Sequence, residues 1–403
     1  MPKQRYRVLF VASHPVQYQA PLFRRFAGRP EIDMHVAYCS LRGAEAAFDR
    51  EFETTVKWDV PLLSGYPWSR VPSKGSNAES FRGPYNPGLW KLIRTGNYDA
   101  VISFVGYVCA AFWITYLATK LSGAKFLFGT DATNLAARDG RAWKRSFKKV
   151  VWPKLFGLAD QVIVPSSGTV RLMRSLGLPQ ERITLTPYTV DNDWWTEQCK
   201  EVDRSAVRAS WRASPGDLVI LFSAKLQPWK RPLDLLQAFA KATISNALLV
   251  FAGEGPLREQ LEWEAKALGV GSRIRCLGFV NQGKLPAVYR SADVMVLPSE
   301  YEPFGVVVNE AMCCGCPVIV SDRVGAAIDL VAPTERGFVY PYGDIEALTA
   351  VLRRVAADRA LLKSVSSACA AQMRTWSPEH NIAATITAIR IAVDRANGRP
   401  LEQ

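Results

Sequence analysis

The chain has 403 residues, 48% of them hydrophobic, with 8 cysteines and a formal net charge of +13. No low-complexity tract or short internal repeat interrupts it, so its length and apolar content predict two or three folded globular domains. The charge favours polyanionic partners (acidic lipid headgroups, nucleic acid, phosphorylated substrates) or a merely basic surface; the cysteine spacings match neither a zinc site nor a small secreted disulfide scaffold, which predicts reduced thiols in a cytosolic protein.

The chain opens Met-Pro-Lys-Gln-Arg-Tyr-Arg and runs into a strand, so no signal peptide is expected and the predicted location is cytoplasmic. That first strand, YRVLFVAS, is followed by His14. DMHVAYC reads as the next strand. Ala100 to Thr119 carries no charge and is long enough to span a bilayer. It begins with a strand-like AVISFV, breaks at Gly106 and is diluted by Ser103, Thr115 and Tyr116, so a buried strand, turn and helix are expected. AKFLFGTD supplies another strand and ends on Asp131. Between Arg138 and Lys154 lie seven basic residues and one acid, interleaved with Trp143, Phe147, Val150 and Val151. The spacing predicts an amphipathic helix whose apolar face packs on a sheet and whose basic face is wet; contact of 141–156 with an anionic membrane surface is the alternative. QVIVPSS and RITLTPY complete six strand-like runs.

A polar stretch closed by Pro-Gly, residues 192–215, reads as the linker between a first domain, 1–191, and a second, 216–375. The second again offers six strands: DLVILFSA, ALLVFAG, RIRCLGF, DVMVLPS, PVIVSD and GFVYP. Short apolar runs alternating with amphipathic stretches are the pattern of parallel doubly wound sheets, which bind ligands at the carboxyl ends of their strands. A last helix, within 376–403, follows Ser377-Pro378 and is expected to return to the first domain. Cys313, Cys314 and Cys316 have no partners at zinc-ligand spacing and are expected to be packed thiols, with no metal.

The strongest chemical signal is YEPFGVVVNEAMCCGCPVIVSD, residues 301–322. Pro303-Phe304-Gly305 reads as a helix start, placing Glu302 at the entrance and Glu310 two turns inside. Eight residues of helix span about 12 Å, too far for a carboxylate pair across one glycosidic bond and better suited to holding two ends of one extended ligand. The N–H groups of Gly305 and Val306 would meet a diphosphate between those ends. Lys225 and Lys230 follow the first strand of the second domain, where fixed cations stabilise a departing diphosphate. Gly253-Glu254-Gly255-Pro256 is a glycine-rich strand-to-helix turn that admits a ligand close to backbone.

Together and in this order, these pieces, with LGFV at 277–280 and Gly325 after EAMCCGCPVIVSD, resemble glycosyltransferase family 4. That family is retaining and has the GT-B fold, two Rossmann-like α/β domains facing across a cleft. The resemblance implies that Glu310 binds ribose hydroxyls, that Glu302, Phe304, Gly305 and Val306 bind the donor sugar and phosphates, that Lys225 and Lys230 bind the diphosphate, and that Phe279 and Val280 flank the base. The opening His14-Pro15-Val16-Gln17-Tyr18-Gln19 resembles a bacterial subset of the family, with His14 and Asp131 as acceptor-side candidates. Three positions depart from the family pattern: Lys225 where Arg is usual, Ala326 after Gly325 where a second glycine is common, and Asp329 where Glu is common. The lysine keeps the charge but lacks the bidentate fork. The implied reaction moves a sugar from a nucleotide diphosphate-sugar (UDP- or GDP-linked) to a glycan or lipid-linked acceptor, with no cofactor and no required metal. A sugar-nucleotide epimerase of the same fold and a nucleic-acid-modifying or -binding protein are the alternatives; no nucleic-acid motif supports the last.

Overall fold

The computed structural model describes residues 5–49, 51–74, 83, 85–136, 141–332 and 336–396. The chain divides into two compact units. One holds residues up to Ala46, Pro61–Tyr188 and the segment from Pro378 onward; the other holds Ala47–Val60 and Thr189–Ser377.

In the first unit, strands β1 (Tyr6–Ala12), β2 (Ile32–Tyr38), β3 (Trp68–Arg70), β4 (Ala100–Ser103), β5 (Lys125–Gly129), β6 (Gln161–Val164) and β7 (Ile183–Leu185) form one parallel sheet. Their order is β3-β2-β1-β4-β5-β6-β7. The inner strands are buried on both faces, which is why they read as unbroken apolar runs rather than alternating ones. Ala100–Thr119 is a strand followed by most of the helix Ala110–Ser122, which packs on β4 and β5 through Phe112. No helix among the described residues is long and apolar enough to cross a membrane. The helix Pro378–Ala396 packs along β5, β6 and β7, and Asn381 Nδ2 donates to the Pro187 carbonyl at 2.8 Å.

The basic helix, Ala142–Gly157, departs from expectation in its packing face. Trp152, Leu155 and Phe156 enter the core, whereas Trp143, Phe147 and Val150 are 60%, 52% and 66% exposed. Helical period identifies faces but not which face the sheet takes, and the bulkier C-terminal set takes it here. Arg138 and Asp139 lie outside the described residues.

In the second unit, β8 (Leu218–Ser223), β9 (Ala247–Ala252), β10 (Ile274–Gly278), β11 (Val294–Leu297), β12 (Val318–Ser321) and β13 (Phe338–Tyr340) form a parallel sheet in the order β10-β9-β8-β11-β12-β13. Residues 192–215, expected as a linker, instead carry two helices of this unit, Asn192–Gln198 and Arg204–Ser210. Trp195 is buried, Asn192 Nδ2 donates to the carbonyls of Met373 and Trp376, and Arg204 and Arg208 both pair with Asp293. A hairpin from the first half of the sequence, Ala47–Asp49 paired with Thr54–Val56, also belongs to the second unit. The eight cysteines are free thiols, and Cys313, Cys314 and Cys316 are buried.

Candidate functional site

In the second sheet the strand order reverses between β8 and β11, so the loops leaving their carboxyl ends border one crevice, the usual ligand site of such sheets. Lys225 and Lys230 leave β8, the latter in the short turn Pro228–Lys230; Glu302 to Gly305 leave β11. Topology thereby brings together residues more than seventy positions apart. The Lys230 ammonium pairs with the Glu302 carboxylate, and both side chains are 16% exposed.

Glu302 is not on a continuous helix with Glu310, as the sequence suggested. It forms a parallel bridge to Val324, and the helix Val306–Cys313 begins only after Gly305, whose φ of 92° lies in the region open to glycine. The Gly325 N–H donates to the Glu302 carbonyl at 3.0 Å, and the Ala326 N–H to the Phe304 carbonyl at 2.7 Å. A Cβ at Gly325 would stand 2.0 Å from the Pro303 carbonyl oxygen, so this first glycine is sterically required. Phe304 is buried and stacks on Trp376, centroids 6.1 Å apart. Val306 opens the helix, and Glu310 lies buried inside it. Burial pushes its carboxyl up to about 7, opposed by a hydrogen bond that the Tyr289 hydroxyl donates at 2.9 Å.

The 253–256 turn rests on the Lys225 loop. The Leu226 N–H donates to the Glu254 carbonyl at 2.8 Å, and a Cβ at Gly253 would meet the Ala224 carbonyl oxygen at 1.9 Å. Gly255 is similarly tight against the Leu226 carbonyl, 2.8 Å from an added Cβ, and Pro256 is exposed. The Glu254 side chain is taken up by Arg258 on the next helix at 2.7 Å. Gly253 N–H reaches the Gly278 carbonyl at 2.9 Å, tying this turn to half-buried Phe279 and Val280.

The hairpin of 47–56 and the chain after it are the part of the site that sequence reading missed. Lys225 Nζ lies 3.4 Å from the Asp49 carboxylate, 2.5 Å from Glu51 and 4.6 Å from the Phe52 ring centroid. Gln227 Nε2 donates to the Glu51 carbonyl at 2.6 Å. Phe52 and Trp58 flank Phe279 with centroids at 5.0 and 6.0 Å. Asn281 Nδ2 donates to the Lys57 carbonyl at 2.7 Å, and the Gly283 N–H donates to Asp59 Oδ1 at 3.0 Å. Partial burial pushes the Asp49 carboxyl up, but Lys225 and the N–H groups of Phe52 and Glu51 outweigh it and hold the group below the usual carboxylate range. In the sequence the acids Asp49, Glu51 and Glu53 alternate with Arg50 and Phe52, and nothing local in them indicates partners 176 and 174 residues away.

In the first unit, His14 follows β1 and Asp131 follows β5. His14 Nδ1 is 2.9 Å from Ser13 Oγ, and burial, with Arg42 nearby, lowers its pKa to about 4. Asp131 Oδ2 accepts from the Tyr188 hydroxyl at 3.4 Å, and the Tyr188 ring meets Tyr18 edge-on at 5.6 Å. The partner that the His-Pro-x-Gln-Tyr-Gln motif brings toward Asp131 is thus its tyrosine, through Tyr188.

The glycosyl transferase 4-like domain family matches residues 7–189, and the family of glycosyl transferases group 1 matches residues 203–371. A D-inositol 3-phosphate glycosyltransferase of Streptomyces bingchenggensis is 29% identical over 74% of this chain and 68% of its own length. An uncharacterized glycosyltransferase of Methanocaldococcus jannaschii is 42% identical, but the match spans only 33% of this chain and 35% of that one. Anabaena HepE, solved in complex with UDP, superposes with a TM-score of 0.70 at 18% identity, covering 97% of this chain and 99% of its own. With both halves matched in order and two doubly wound parallel sheets, the chain belongs to the glycosyltransferases of the GT-B fold, a 4-like domain followed by a group 1 domain.

Proposed function

We propose that the protein is a retaining glycosyltransferase that moves a sugar from a nucleotide diphosphate-sugar to a hydroxyl of a glycan or lipid-linked intermediate of bacterial envelope synthesis. The observation that carries the donor reading is the meeting of Lys230 with Glu302 at the strand-order reversal, with buried Glu310 on the adjoining helix. HepE, similar in fold, holds UDP, which makes UDP-sugars the first donors to test and GDP-sugars the second. In this reading Glu310 accepts ribose hydroxyls and Phe279 and Val280 flank the base. Glu302 and the backbone of Phe304 to Val306 hold the sugar and phosphates.

The leaving nucleoside diphosphate gains charge as the sugar departs. Lys230, Lys225 and the N–H groups at the start of Val306–Cys313 neutralise that charge, so the proposal calls on no metal. Lys225 is engaged by Asp49 and Glu51, so a diphosphate must compete with two carboxylates for it. The family's retention of configuration goes with attack on the face the leaving group vacates, the phosphate taking the acceptor's proton. A thermal-shift panel of UDP- and GDP-sugars tests the donor. Release of nucleoside diphosphate only when an acceptor is present distinguishes a transferase from an epimerase, and the anomeric coupling of the product reports retention. No stabilisation by any nucleotide-sugar would defeat the reading.

The lipid-linked acceptor is supported by the basic helix, which presents Trp143, Phe147 and Val150 outward beside exposed Arg145 and Lys149. Apolar side chains among cations suit an anionic interface, where each Lys or Arg contributes about 1 kcal/mol. Vesicles rich in phosphatidylglycerol are expected to pellet the protein at low salt and release it at high salt. Changing Lys144, Arg145, Lys148 and Lys149 to Ser abolishes the pelleting on this reading; equal pelleting by both proteins, or by neither, would leave a soluble acceptor as the better choice.

A further inference from the structure

Glu310 is the end of a buried polar chain. The Tyr289 hydroxyl lies 2.9 Å from Glu310 Oε2 and 3.0 Å from Ser223 Oγ. Ser223 ends β8, two residues before Lys225; Tyr289 comes from the helix Leu285–Ser291; its ring packs edge-on against Trp195 at 5.8 Å. All four side chains are buried. A tyrosine has one proton to give, so if it donates to the carboxylate, the serine must donate to the tyrosine, and the chain has one direction: Ser223 to Tyr289 to Glu310. The other oxygen, Oε1, takes no hydrogen bond from the described residues.

We infer that Tyr289 is the positioning residue of the nucleoside subsite, holding Oε2 of Glu310 so that the carboxylate stays an acceptor with Oε1 directed to a donor hydroxyl. This rests on the reading that Glu310 binds the ribose. The physical need is clear from the burial. A carboxyl in this place drifts toward its neutral form, which accepts hydrogen bonds poorly, and a fixed O–H donor is what favours the ionised form. The groups that act on Glu310 are few. Tyr289 faces it from the helix Leu285–Ser291 and the Cys313 thiol from its own helix. Near the helix Asn192–Gln198, Asp191 and Asp193 act on Cys313 rather than on Glu310. The helix Arg359–Thr375 and β12, which also pack on Val306–Cys313, add no charge at the carboxylate among the described residues.

The test is calorimetric binding of UDP-glucose and of GDP-mannose from pH 5.5 to 8.5, a window in which their diphosphate diesters do not titrate. The wild-type protein is expected to bind the better of the two more tightly as pH rises through about 7, following the Glu310 carboxyl. In Tyr289→Phe the midpoint should rise by about one pH unit, which is roughly a fivefold loss at pH 7 and approaches tenfold below it. Most of that loss should be recovered at pH 8.5, and in turnover it should appear in KM for the donor rather than in kcat. Ser223→Ala should move the midpoint in the same direction by less, and it carries the test if Tyr289→Phe does not fold. A midpoint unchanged in both variants, with affinity either intact or uniformly lowered, would overturn the proposal. Glu310→Gln separates this from failure of the ribose reading. If Glu310→Gln binds like wild type at every pH, the ribose assignment falls and the positioning role falls with it. If Glu310→Gln loses affinity while Tyr289→Phe keeps the wild-type midpoint, only the positioning role falls.

Discussion

The two sheets share one strand order, 3-2-1 and then outward from the first strand again, yet their reversal points carry opposite chemistry. At the carboxyl ends of β8 and β11 stand an ion pair, a second lysine and a buried carboxylate. At those of β1 and β4 stand a histidine kept neutral by burial, a serine and the apolar run Phe104-Val105. A charged ligand fixes its site with full charges, and full charges in a loop are legible in a sequence. A site that is neutral and aromatic looks like the rest of the core. On the proposed reading, the same architecture therefore discloses its donor end and conceals its acceptor end.

The charged end should break first. Lys230→Ala removes the partner of a largely buried carboxylate and, on the proposed role, a cation that meets the leaving diphosphate. Turnover should fall by about a hundred- to a thousand-fold, as for loss of other preorganised charge stabilisers. Glu302 left unpaired should also lower the midpoint of thermal unfolding. Near-normal turnover at saturating donor would make Lys230–Glu302 a structural pair and return the donor pose to question.

A second, smaller effect separates the two lysines. Lys230 is held by a site residue, Lys225 by Asp49 and Glu51 of the hairpin. Replacing both acids (Asp49→Asn with Glu51→Gln) relieves Lys225 of like-charged competitors for a diphosphate. Partly exposed pairs of this kind are worth about 0.2–1 kcal/mol each, so UDP affinity should rise by a few-fold in calorimetry. Weaker UDP binding in the double variant would mean that the acids hold the lysine in place for the donor instead of competing with it.

The same contrast marks what was readable. Twelve of the thirteen strands of the two parallel sheets stood out as short, largely apolar runs; Glu302 and Glu310 stood out because their spacing is local, and Lys225 and Lys230 because they follow the first strand of the second domain. The hairpin strands and Trp68–Arg70, with sequences AFD, TTV and WSR, mix apolar with polar or charged residues and so form no apolar run. Lys225 meets its acids only through tertiary structure. Tyr289 sits in LPAVYRS as an ordinary aromatic of an amphipathic helix, and its hydrogen bonds depend on Ser223 and Glu310 arriving from two other elements. On the basic helix the apolar stripe was visible, but the sheet chose Trp152, Leu155 and Phe156 and left Trp143, Phe147 and Val150 to solvent.

The neutral end makes the smallest prediction. Burial first, and then Arg42, lower the His14 pKa from 6.5 to about 4. A histidine lowered in the folded state binds its proton more readily in the unfolded chain, so it costs stability as pH falls from about 6.5 toward about 4 and costs nothing above that window. His14→Asn keeps a polar partner for Ser13 and removes the titration. The variant should lose less of its unfolding midpoint than wild type between pH 7.5 and pH 5, a difference of a few degrees at most for a chain of this length. It should leave nucleotide-sugar binding in the second unit unchanged at both pH values. Equal losses in the two proteins would mean that His14 takes up its proton in the folded state. It would then be reachable by water and able to exchange protons near neutrality, and the first unit's reversal point would be a candidate for proton transfer to or from an acceptor hydroxyl.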